Sequence, residues 1–273
     1  KSMLDSVRLT IATLLGVKPH EVVFTASGSE ANSLALFGRC EKWKQENGKA
    51  GHVIALSTEH SCSIKAVQRL QKEGWEISLL PVNKEGVLEM PVLEEALRED
   101  TALISIQWGN NEVGAMQPIA ECGKICKERG ITFHTDGVQP IGQLEIPVLP
   151  DMTTIAAHKF YGPKGIGALI VRDHVELCPQ ILGGGQEFNL RAGSENLPAI
   201  VGMAKALEIA LEKQPAEEKR LIALRDDFIA QLEALPGVTL NGPRTARLPN
   251  NANIRFEGKS GETIVIQLDL QGI

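Results

Sequence analysis

The stretch ALISIQWGNNEVGAMQPIAECGKICKERGITFHTD, residues 102–136, decides the fold. It opens on an unbroken apolar run (102–107), and a loop rich in Asn, Gly and Pro follows. Ile119, Cys122, Ile125 and Cys126 then recur at helical spacing, and a second apolar run (131–135) comes after them. Apolar runs of roughly four to eight residues bounded by turn signals read as strands buried on both faces. Two such strands joined by one helix form a crossover unit, which sets them parallel.

The same unit repeats outward. Runs at 21–25, 52–57, 75–80, 152–156 and 167–172 read as further buried strands, and Ile64, Val67 and Leu70 mark another helix. The expected class is α/β: a mostly parallel sheet covered by helices. Residues 161–167 leave no room for a helix between two strands, so that pair is expected to be antiparallel. Residues 41–51 read as a polar loop. Past residue 200 the texture changes. Helical patterns at 200–213 and 217–235 are expected to break at Pro215, with short strands at 238–240 and 253–257. This divides the chain into a large domain (1–200) and a smaller, incomplete α+β domain (201–273). The first residues (Leu4, Val7, Ile11) already lie in a helical pattern, and the last follow an apolar run at 263–270. Neither end reads as a natural terminus.

Composition narrows the function classes. The 273 residues are 43% hydrophobic and 23% charged, as in ordinary globular proteins. Aromatics are 4%, so aliphatic side chains must fill the core. The net charge of −6 argues against nucleic acid or an anionic membrane as the main partner. Five cysteines, an odd number, with no Asn-x-Ser/Thr sequon and no targeting segment, point to free thiols in a reducing, cytoplasmic setting.

In open parallel sheets, ligands bind outside the carboxyl ends of the strands. Those ends are polar here. They carry Ala26-Ser27-Gly28-Ser29-Glu30, Thr58-Glu59-His60, Gly109-Asn110-Asn111-Glu112, His134-Thr135-Asp136-Gly137-Val138-Gln139 and His158-Lys159. Gly28-Ser29 opens a helix running to about Phe37. Its free N–H groups suit an anion; the plainer alternative is a helix cap at Ser29. Asp136 either caps a helix starting near Gly137 or pairs with a buried cation. Lys159 either reaches solvent or is an amine activated for Schiff-base chemistry. Together, lysine, carboxylate and anion cup meet the requirements of pyridoxal phosphate. His60 then lies over the cofactor ring and moves protons. Asn111 and Gln139 suit the phenolic oxygen, although alone they are ordinary turn residues. His158 is placed to contact the phosphate.

Other chemistries fit less well. His60, His134, Asp136 and His158 match no metal-ligand spacing. Residues 162–167 lack the Lys-Ser/Thr ending of a nucleotide-binding P-loop. Cys122 and Cys126 read as core, Cys40 ends a helical run, and Cys178 lies in a loop. Cys62, two residues after His60, reads as packing, with a place near the site as the alternative. None is nominated as a nucleophile.

The segment HKFYGPKGIGAL (158–169) resembles the lysine signature of the NifS/IscS-type cysteine desulfurases, which are fold-type-I pyridoxal phosphate enzymes of the class-V aminotransferase family. Selenocysteine lyase is in the same group. FTASGSEAN (24–32), STEH (57–60), NNEVG (110–114), HTDGVQPIG (134–142) and GGGQEFNLRAGSEN (183–196) match in order, so the resemblance spans the chain. It implies that Lys159 holds the cofactor and moves the α-proton, that Asp136 meets the pyridine nitrogen, and that His60 stacks on the ring. It also places Gly28, Ser29 and His158 on the phosphate, Asn111 and Gln139 on substrate and phenolic oxygen, and Ser194 on the phosphate of the other subunit of a homodimer. The implied reaction converts L-cysteine to L-alanine and an enzyme persulfide for a sulfur-acceptor protein, such as an iron–sulfur scaffold.

Three departures from the pattern stand out. Ala156-Ala157 replaces the usual Ser-Gly before His158-Lys159, removing one phosphate hydroxyl that Thr153 or Thr154 would have to replace. The family's first strand and substrate loop would precede Lys1. Its nucleophilic cysteine would follow Ile273, and the substrate-carboxylate arginine also belongs to the parts outside the chain. The rival readings are selenocysteine lyase with L-selenocysteine as substrate, another fold-type-I enzyme such as an aminotransferase, and an inactive cofactor-binding fragment.

Overall fold

The computed structural model describes residues 2–273. In chain order the elements are α1 (Met3–Leu15), β1 (Val22–Thr25), α2 (Gly28–Asn47), β2 (His52–Leu56), α3 (Ser61–Lys72), β3 (Glu76–Leu80), α4 (Met90–Ala96) and β4 (Thr101–Gln107). They continue with α5 (Ile119–Arg129), β5 (Thr132–Asp136), β6 (Met152–Ala156), β7 (Gly167–Val171), α6 (Leu197–Glu233), β8 (Val238–Asn241), β9 (Asn253–Phe256) and α7 (Gly261–Asp269).

Among the described residues, seven strands form one sheet in the order β1-β7-β6-β5-β4-β2-β3. Strand β7 runs antiparallel to β6, as the short 161–167 connection requires, and also to its other neighbour β1. The other pairs are parallel. Successive strand residues point to opposite faces. Val22, Phe24, Ile54, Leu56, Ile104 and Ile106 therefore join a core with α1, α4, α5 and the first half of α6. Val23, Val53, Ala55 and Leu103 face the other way, into a core with α2 and α3. This three-layer arrangement explains the unbroken apolar strands: both faces are covered.

Helix ends follow local chemistry. Ser2 and Asp5 form a capping box at α1, and Gly16, Gly48 and Gly130 close α1, α2 and α5 in the left-handed conformation. Helix α2 runs to Asn47, through most of the expected loop at 41–51. Its polar residues are the solvent face of a helix, with Lys42 near Glu46 one turn on.

Helix α6 runs unbroken through Pro215, against expectation. Pro215 is exposed, and the strong helix formers on both sides outweigh a proline penalty of about 3 kcal/mol. The helix crosses residue 200, and Ile200, Met203, Ala204 and Leu207 belong to the large core. Strands β8 and β9 pair antiparallel. The segment between them seats on the 109–118 loop: Met116 N–H donates to Ala246 O (2.9 Å) and Leu248 N–H to Gly114 O (2.9 Å). The apolar run at 263–270 falls largely in α7, which Ser260 caps. No helix of the described residues is long and apolar enough to cross a membrane.

Candidate active site

The register brings the chemistry together. Gln107, Asp136 and Thr154 lie side by side across β4, β5 and β6. Outside this edge, Gly28, Ser29, His60, Asn111, Asp136, Gln139, His158 and Lys159 line one cleft of about 240 Å³, joined by Asn32, Cys62 and Gln107. Ser194 is elsewhere, in a pocket of about 110 Å³ shared with Thr25, Glu187 and Asn196. A larger depression of about 930 Å³ lies at the opposite sheet edge, beside Thr132 and Asp151, and holds none of these groups.

The start of α2 forms one end of the cleft. Ser27, not Ser29, is its cap: the Ser27 hydroxyl accepts from Glu30 N–H (3.1 Å). Among the described residues, the N–H groups of Gly28 and Ser29 and the Ser29 hydroxyl have no partner. They are free donors at the positive end of a helix dipole. A Cβ at Gly28 would sit 3.1 Å from Val138 Cγ2 and 3.4 Å from Ala156 Cβ, so packing here favours glycine.

Asp136 ends β5 and is 4% exposed. Its Oδ1 accepts from Val138 N–H (3.0 Å) and its Oδ2 from the Asn32 side-chain amide (2.7 Å). No helix starts at Gly137, so Asp136 is not a cap. Burial raises its pKa; the hydrogen bonds from Asn32 and Val138 and the nearby charge of Lys159 oppose that rise.

Lys159 sits on a single 3₁₀ turn, Ala157–Phe160, which β6 feeds directly and Tyr161 closes in the left-handed conformation (φ 65°). His158 next to it has a lowered pKa, first through burial and then through the charges of Lys159 and Lys164. His60 is the cap of α3, its ring accepting from Cys62 N–H. The Asn111 side-chain oxygen accepts from Gln107 Nε2 (3.3 Å). Its loop is shaped by Asn110, whose Oδ1 accepts from Glu112 and Val113 N–H (2.9 Å each).

Several residues correct or extend the sequence reading. Cys62, expected to be packing, lines the cleft. Asn32 was not singled out, yet it holds Asp136. Glu59 is buried at the end of β2, with Oε1 accepting from Gln107 N–H (2.6 Å) and Oε2 unpartnered. Burial pushes its carboxyl well above the usual range, against the Gln107 hydrogen bond and with the Asp136 charge adding. Neither threonine replaces the missing phosphate hydroxyl. Thr154 Oγ1 is bonded to His134 Nε2 (3.0 Å), and Thr153 Oγ1 is buried without a partner.

His134 is fixed between Ser105 (2.8 Å) and Thr154, and burial alone lowers its pKa to about 3. That is a neutral core histidine. Among the described residues, no group of three or more His, Cys, Asp or Glu side chains is placed to hold a metal. Burial also pushes the Cys122 thiol up to about 12, and Cys40 and Cys126 upward too. These thiols are inert core.

Pyridoxal phosphate fits this donor set. Free first-turn N–H groups and a hydroxyl suit its phosphate. A buried carboxylate, held by Asn32 and Val138, suits a cationic ring nitrogen. A lysine shares the same cleft.

Residues 1–273 match the aminotransferase class-V family, and the chain belongs to it. Its relatives include the cysteine desulfurase IscS of Dictyoglomus turgidum, 44% identical over 277 residues that span all of this chain and 70% of that protein. A solved NifS-like protein matches with a TM-score of 0.94 at 34% identity, covering 99% of this chain and 74% of the other. SspA, solved in complex with cysteine, matches at a TM-score of 0.81 and 35% identity over 98% of this chain and 75% of its own. Within the class-V family, the chain groups with cysteine desulfurases of the IscS and NifS type.

Proposed function

We propose that the protein is a pyridoxal-phosphate-dependent cysteine desulfurase. It takes sulfur from L-cysteine and leaves L-alanine: the thiolate of the nucleophilic cysteine that the family resemblance implies attacks the substrate sulfur, the substrate C–S bond breaks, and the resulting persulfide passes the sulfur to an acceptor protein. One observation carries this reading: a single cleft joins Lys159, Asp136 and His60 to the free N–H groups of α2.

The cofactor, when bound, supplies an electron sink for charge developing at the substrate Cα. The chain supplies the rest. Gly28 and Ser29 N–H, the Ser29 hydroxyl and His158 bind the phosphate. Asp136 holds a proton at the ring nitrogen, and Val138 and Asn32 fix its carboxylate. Lys159 Nζ removes the α-proton and returns a proton to the product. His60 packs on the ring and moves a second proton. Asn111 and Gln139 donate to the phenolic oxygen and orient the substrate. Cys40, Cys122, Cys126 and Cys178 are buried and do not accept the sulfur. Ser194 lies outside the cleft of its own chain, which suits the role of reaching the phosphate of a second subunit; the working state is then a homodimer.

The test has two stages. Purified protein should take up pyridoxal phosphate, and borohydride should fix it to Lys159, as read by peptide mapping. L-cysteine should then yield alanine and, with a reductant, sulfide in equal amounts. Protein that takes up no cofactor would refute the proposal. Selenide released from L-selenocysteine in strong preference would reassign it as selenocysteine lyase.

A further inference from the structure

His60 and Cys62 are two residues apart at the start of α3, where helical geometry alone would point them apart. The cap brings them together: Cys62 Sγ lies 2.9 Å from His60 Nδ1, and Cys62 N–H donates to the same nitrogen (3.3 Å). A backbone N–H only donates, so Nδ1 must accept. In the neutral ring, Nε2 therefore carries the proton. The thiol hydrogen has the same acceptor available, and its sulfur accepts from the Asn32 amide (3.2 Å). The Asn32 nitrogen has two hydrogens. One goes to Asp136 Oδ2 (2.7 Å), and Cys62 is the nearer of its two remaining acceptors, with Ser63 Oγ at 3.4 Å. Asn32 Oδ1 is buried without a partner, so no competing bond turns this amide.

We propose that Cys62 is a positioning residue of the site. Its thiol bridges Asn32 and His60, joining the Asp136 carboxylate and the His60 ring in one hydrogen-bonded chain, and it orients the imidazole with Nε2–H free for the cleft. Sulfur suits this bridge, being long-reaching and both a weak donor and a weak acceptor. The bridge does not require sulfur chemistry at Cys62, which acts through His60. Its effect on turnover rests on the desulfurase reading; its effect on the ring does not.

The test separates these two. In cofactor-free protein with ¹⁵N-labelled histidine, long-range ¹H–¹⁵N spectra report the His60 ring, assigned with His60→Gln. The wild-type ring should show an unprotonated, hydrogen-bonded Nδ1 and a protonated Nε2. Cys62→Ala should shift the Nδ1 signal, and Cys62→Ser should keep it. Capping the wild-type thiol with methyl methanethiosulfonate gives the same readout without a substitution, should the alanine variant fold poorly. In the loaded enzyme, Cys62→Ala should lower kcat roughly three- to tenfold, as expected for one hydrogen bond. The KM for cysteine should stay nearly constant, and Cys62→Ser should restore kcat. Ring spectra indifferent to both the substitution and the cap would overturn the proposal. A shifted ring in a protein inactive on cysteine would leave the bridge standing and defeat the desulfurase reading instead.

Discussion

The side-chain amide of Asn32, in the second turn of α2, donates to Oδ2 of Asp136 at the end of β5 across 2.7 Å. Both residues are buried, and this bond is one of two that fix the carboxylate. Asn32→Leu removes it and raises the Asp136 carboxyl further, so the charge that should meet the cofactor ring nitrogen is less available. Hydrogen bonds to charged groups are worth about 1.5–3 kcal/mol. Cofactor affinity should therefore fall by at least about tenfold, read by absorbance titration of the apoprotein. Unchanged affinity would mean that Val138 alone holds the carboxylate.

Ala156 gives a prediction of opposite sign. It ends β6, lines the cleft and faces the start of α2. Thr153 and Thr154 hydroxyls are not available to the cleft, so the site lacks one donor that Ala156→Ser would add. Cofactor binding should tighten about tenfold, the value of one charge-assisted hydrogen bond at its lower end. The same titration measures it, and no gain would show that the α2 donors already satisfy the phosphate.

The strands were legible because burial on both faces leaves a signal that needs no partner to recognise. Lys159, Asp136 and His60 were legible because polar groups at the ends of apolar runs stand out. Asn32 was not: it lies on the buried side of a helix, and the residue that explains it is 104 positions away. Cys62 was weighted toward packing, because its link to the site depends on a cap residue that turns its ring back over the first turn, which the sequence does not show. Pro215 and the polar face at 41–47 misled in the same way. Local propensity was read where tertiary support decides.

Glu59 contributes a pH dependence of stability. In the unfolded chain its carboxyl titrates near 4.5; in the fold, burial moves it well above. Between those values the folded form holds a proton that the unfolded chain has released. Stability therefore falls as pH rises through that window, by up to about 1.4 kcal/mol per pH unit, and levels beyond it. Glu59→Gln removes this titration. The variant should gain stability relative to wild type on going from about pH 5 to about pH 8, measured as urea midpoints of the cofactor-free protein. A constant difference between the two proteins across that range would show that Glu59 titrates normally.

Arg8 and Glu187 make the last case. The guanidinium grips both carboxylate oxygens (2.8 and 2.6 Å), and Glu187 also accepts from Phe24 N–H (2.8 Å). The arginine lies 4.7 Å from the Phe24 ring centroid and 4.9 Å from that of Phe188. Glu187, Phe188 and Asn189 are all left-handed (φ 48°, 59° and 66°), a backbone that costs about 1 kcal/mol or more per residue. The ion pair is what opposes that strain. Arg8→Met leaves a buried carboxylate unpaired, which typically destabilises by about 3–5 kcal/mol. The loss should show in urea unfolding and in faster proteolysis within 183–196. Adding Glu187→Met should recover part of the stability, because no charge is then left buried, but not the protease resistance, because nothing then holds the left-handed turn. Since Ser194 lies in this same segment, the double variant should also weaken cofactor binding in the assembled protein while leaving the cleft residues of each chain in place.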